Sequence, residues 1–76
     1  METDGNKIYR KTEVVGTSKE SLEDAITHAV KRAQQTIRQV MWFEVLEQRG
    51  RIDDGEIQFQ VTLAVGFELE RIEDIA

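Results

Sequence analysis

From Ser21 onward the apolar residues Leu22, Ala25, Ile26, Ala29, Ala33, Ile37 and Val40 recur at spacings of three and four, which draws one stripe along a helix. Glu23, Lys31, Gln34, Gln35 and Arg38 fall on the opposite side, so the helix has one dry face. Thr17 and Ser18 offer caps at its start, with Glu20 placed three residues after Thr17 as a capping box requires. On either side the pattern changes period. "KIYRKTEVVG", Lys7 to Gly16, is rich in β-branched and aromatic residues and short enough to be a first strand. "MWFEVLEQRGRI" and "EIQFQVTLAVGFELE" follow the helix as two longer strands joined across "DDG" at Asp53 to Gly55. The order predicts an α+β protomer, βαββ, with a three-stranded antiparallel sheet packed on the helix. No repeat, linker or low-complexity segment divides it, so residues 1–76 read as a single domain whose ends, 1–6 and 71–76, are expected to be flexible.

The hairpin turn decides what each face of the sheet carries, and two readings are open. A two-residue Asp-Gly turn pairs Asp53 with Glu56 and sends Trp42 to the face of Val61, Leu63, Val65 and Phe67. A three-residue turn ending in Gly55 pairs Ile52 with Glu56 and exchanges the faces. The second is chemically better, because it unites Phe43 and Val45 with Val61, Leu63 and Val65 on one apolar face suited to the helix. The other face then holds Trp42, Glu44, Leu46, Gln48, Gln60, Thr62 and Ala64, and no element of the chain remains to cover it.

An indole on such a face can serve a subunit contact, since aromatic residues are enriched at interface cores. It can also be a stacking platform for a planar ligand, with Gln60 supplying one acceptor and two donors to a polar edge. Length favours self-association in either case. A chain of 76 residues buries a thin core, it has no cysteine for disulfides, and one histidine gives no basis for a clustered metal site.

Fifteen acidic against ten basic residues give a net charge of −5 and a pI near 4.8, which opposes binding to nucleic acid or to an anionic membrane. No apolar run approaches the roughly 18 residues of a membrane span. "METDGNK" lacks the apolar core of a signal peptide, so the expected location is cytoplasmic. Catalysis finds no constellation: His28 stands alone as a surface helix residue, no Gly-rich phosphate loop occurs, and Glu20, Glu23 and Asp24 read as partners of the helix dipole.

"VGTS" at Val15 to Ser18, "WFEV" with "QRG" between Trp42 and Gly50, and "FQVTLAVGFEL" at Phe59 to Leu69 together resemble the dodecin family of small flavin-binding proteins. The resemblance runs from about Lys7 to Leu69. It implies a hollow homododecamer of cubic symmetry that stores and sequesters FMN or riboflavin and quenches its photochemistry, without turnover. Flavins would lie in pairs between subunits, their rings stacked on Trp42 and their polar edge met by Gln60. By the same resemblance Arg49 meets a flavin phosphate, Glu47 approaches the ribityl chain, and Arg10, Arg32, Thr36 and Arg38 stand where some members hold coenzyme A. Two departures mark this chain: the span from Trp42 to Gln60 is one residue short in the hairpin, and Glu68 occupies a place where many bacterial relatives carry arginine. Alternatives to flavin storage are a purely structural homo-oligomer, a dual binder of coenzyme A and FMN, and a flavin-dependent reductase.

Overall fold

The computed structural model describes residues 6–69, in the order β1 (Tyr9–Ser18), α1 (Leu22–Thr36), β2 (Val40–Asp53) and β3 (Glu56–Glu68). The three strands form one antiparallel sheet in the order β1-β3-β2, so the expected βαββ architecture holds and β3 is its central strand.

The helix begins one turn later than the proposed capping box. Ser21, in extended conformation, is the N-cap, and its hydroxyl accepts the Asp24 amide at 2.9 Å. Ser18 instead closes β1 and organises the connection: its hydroxyl accepts the amides of Glu20 (2.8 Å) and Ser21 (3.4 Å) and donates to the Asp24 carboxylate at 2.7 Å. Glu23 and Asp24 lie in the first turn, where the dipole favours acids. The stripe also overshoots at the other end. Helical backbone stops at Thr36, Ile37 turns extended, and Gln39 takes a left-handed φ of 61°, so Ile37 lies beyond the helix and Val40 opens β2.

Ala25, Ala29 and Ala33 are the buried residues of α1, and their small side chains let the helix sit close on the sheet. The contact is closest at Gly16, where a Cβ would fall 2.7 Å from the Ala25 carbonyl oxygen and 2.8 Å from the Ala29 Cβ. Beneath it Val61, Leu63 and Val65 of β3 are fully buried, with Val14, Leu22, Ile26 and Val30 at the rim of the core. The helix lies mainly over β1 and β3. Strand β2 is therefore left uncovered even on the helix side, where Phe43 is 45% and Val45 42% exposed.

Both hairpin readings prove half right. The turn is the two-residue one: Asp53 pairs with Glu56, and Asp54 (φ 57°) and Gly55 (φ 82°) take the two left-handed positions of a type I′ turn. The preferred pairing of Ile52 with Glu56 is thus corrected, since Ile52 pairs with Ile57. Yet Phe43 still faces Val65 and Val45 faces Leu63, because the register slips by one between Val45 and Glu47, with Leu46 as the extra residue of a bulge. One bulge undoes the face exchange that the turn alone would impose. It also removes Leu46 and Gln48 from their predicted places on the Trp42 face: Gln48 pairs with the buried Val61, while Glu47 and Arg49 move to the Trp42 side.

Candidate functional site

The sheet face turned away from the helix carries Trp42 opposite Gly66, Glu44 opposite Ala64, Glu47 opposite Thr62 and Arg49 opposite Gln60. From β1 it receives Tyr9, Lys11, Glu13, Val15 and Thr17, paired in turn with Glu68, Gly66, Ala64, Thr62 and Gln60. All four flavin-site candidates, Trp42, Gln60, Arg49 and Glu47, share this one face. The two-residue turn leaves them there, and the pairing of Arg49 with Gln60 is regular.

Trp42 lies over the middle strand. A Cβ built at Gly66 would come 2.3 to 2.5 Å from three atoms of the indole, so the ring occupies the space that any side chain at 66 would need. That gap lets two aromatic residues meet across β3: Tyr9 of β1 packs edge-on to Trp42, with centroids 5.2 Å apart and planes at 75°. Trp42 remains 37% exposed. The indole is thus held from two sides and open on a third. Sequence reasoning missed Tyr9 and Gly66; the available signal was a glycine in the middle of an otherwise apolar strand, which marks close approach of another group.

Ion pairs rim the face. Lys11 Nζ meets Glu44 Oε1 at 2.8 Å, Arg49 meets Glu47 at 3.7 Å, and Lys7 meets Glu68 at 3.7 Å. Arg49 and Glu47 are both more than half exposed, so their pairing is loose and open to rearrangement.

Within one protomer Trp42 and Gln60 stand far apart. Gly66, the partner of Trp42, is six residues along β3 from Gln60, or about 20 Å at the rise of an extended strand. No three-ring heterocycle spans that distance, so a single chain cannot close both residues on one ring. The four candidates for coenzyme A lie elsewhere. Helix α1 runs antiparallel to β1, since Gly16 late in β1 meets Ala25 and Ala29 early in α1. Arg32 and Thr36 in the last turns of the helix, Arg38 just after it and Arg10 at the start of β1 therefore fall at the same end of the protomer. The Thr36 hydroxyl donates to the Ala33 carbonyl at 3.4 Å. His28 lies on the exposed helix surface, as expected, with its Nδ1 3.0 Å from the Asp24 carbonyl oxygen and 3.3 Å from its carboxylate. No helix among the described residues is long and apolar enough to cross a membrane.

The dodecin family model matches residues 8–70, which takes in every element of the sheet and helix. The chain belongs to the dodecin family. A dodecin of Thermus thermophilus is 52% identical over 65 residues, covering 84% of this chain and 94% of the relative. The calcium dodecin of Mycobacterium tuberculosis is 32% identical over 63 residues, covering 82% and 89%. Among solved structures, the dodecin from Streptomyces davaonensis superposes with a TM-score of 0.82 at 47% identity, covering 88% of this chain and all of that one. The dodecin fold is thus common to the two proteins along the whole of the described sheet and helix.

Proposed function

We propose that this chain is a non-enzymatic flavin-binding protein that assembles as a closed homododecamer and stores FMN or riboflavin there, shielding it from photochemistry. One observation carries the reading: an indole held over Gly66 and against Tyr9, left open on a sheet face that the protomer does not cover. A ring fixed in this way is preorganised for stacking, and stacking on an electron-rich indole quenches an excited flavin. The separation of Trp42 from Gln60 supports a site shared between subunits, in which the indole of one chain and the amide of another meet the same ring. Glu47 and Arg49, brought to that face by the Leu46 bulge, complete it at the ribityl chain and its terminus. Flavins packed in pairs between indoles leave no room for a second substrate, which is why the function is storage.

The test is a fluorescence titration of ligand-free, assembled protein into flavin. Saturable quenching at about one flavin per chain is the expected result. Unchanged emission would leave the structural homo-oligomer, with Trp42 as an interface residue. Steady oxidation of a nicotinamide on adding flavin would instead indicate a reductase. The gathering of Arg10, Arg32, Thr36 and Arg38 at one end of the protomer favours a second reading, coenzyme A held alongside flavin. It predicts that Arg32→Ala lowers coenzyme A retention without altering flavin quenching.

A further inference from the structure

The charges around the indole bear on which flavin the site takes. Between Trp42 and Gln60 the open face carries three carboxylates, Glu13, Glu44 and Glu47, against two cations of its own strands, Lys11 and Arg49, and Glu68 adds a fourth carboxylate just past Trp42. Lys7, just before β1, adds a third cation at its edge. Each of these cations already has a carboxylate within 4 Å: Lys11 has Glu44, Arg49 has Glu47 and Lys7 has Glu68. Glu13 adds negative charge beyond those pairs, and past Gln60 the cation Arg51 is outnumbered by Asp53 and Glu56 on the same face. The chain as a whole carries −5, and a closed assembly sums that charge over every copy.

We infer that, in the flavin site proposed above and resting on that proposal, the acidic face selects an uncharged flavin over its phosphate ester. The isoalloxazine ring is the same in riboflavin and FMN, so stacking on Trp42 does not separate them. The terminal group does. A phosphate monoester brings close to two negative charges at neutral pH. It meets a net-negative face and a net-negative assembly, and to use Arg49 it must first displace Glu47. A ribityl hydroxyl carries no charge and needs only hydrogen-bonding groups, of which Gln60, Thr62 and Glu47 offer several.

The experiment is a pair of titrations of ligand-free, assembled protein with riboflavin and with FMN, followed by flavin emission at low and at high salt. Riboflavin should bind about tenfold more tightly than FMN at low ionic strength, and the gap should narrow as salt screens the face. The double variant Glu13→Gln/Glu68→Gln, which removes two charges from the face, should tighten FMN and leave riboflavin within about twofold, by the same Coulomb argument. Equal or tighter binding of FMN, with both flavins quenched, overturns the selection and leaves flavin storage standing. Absence of quenching by either ligand in assembled protein overturns both.

Discussion

Replacing Trp42 with alanine should abolish tight flavin binding while the assembly persists, because in the proposed site the ring's open side meets ligand more than protein. Size-exclusion chromatography and flavin titration on the same sample check both halves, and wild-type affinity would remove Trp42 from the site. Gln60→Ala should cost less, roughly the 0.5–1.5 kcal/mol of one net hydrogen bond. A loss as large as at Trp42 would reverse the ranking of the two contacts. These side chains were legible in the sequence through two signals, a lone indole at a strand position predicted to face outward and the ordered motifs "WFEV" and "FQVT". Tyr9 was not, because its contact with Trp42 runs across an intervening strand and depends on Gly66 having no side chain. Such a contact requires the strand order β1-β3-β2, and alternation along any one strand is silent about that order.

The Leu46 bulge offers one test. Deleting Leu46, the extra residue, should remove the bulge and keep the flanking pairs Val45 with Leu63 and Glu47 with Thr62, so that Trp42, Glu47 and Arg49 all stay on the open face. Flavin affinity should then be largely kept, with circular dichroism showing the sheet retained; a large loss would mean that the local twist of the bulge itself shapes the site. Packing of the helix offers a second test. Gly16→Ala places a methyl group against the backbone of Ala25 and the Cβ of Ala29, neither of which can swing aside, so it should destabilise the chain by about 1–3 kcal/mol in denaturant titration. The four elements and their order could be read from periodicity. Helix limits and hairpin register could not: Ser18 and Ser21 compete as caps three residues apart, and only one continues into helical backbone. For the hairpin, a short turn and a bulge compensate each other, so the apolar match of Phe43 with Val65 and Val45 with Leu63 pointed to the right faces through the wrong turn.

At the scale of the whole molecule, the protomer presents more apolar surface than a stable monomer should. Beside Phe43 and Val45, Leu46 is 49% exposed and Ile52 82%, all on the strand that the helix covers least. Phe43→Glu should therefore yield small, unassembled species by light scattering, and these should not quench flavin even though Trp42 is unchanged. Assembly that survives this substitution would place the subunit contacts elsewhere. The roughly 20 Å between Trp42 and Gln60 has a thermodynamic consequence of its own. If neither residue can complete a pocket within its own chain, ligand binding and subunit association are linked equilibria. Flavin then acts as a cohesive agent, raising the resistance of the closed shell to heat and dilution by roughly 2.7 kcal/mol per site at a hundredfold excess over Kd. On the proposed function, an emptied shell should be the form that comes apart first.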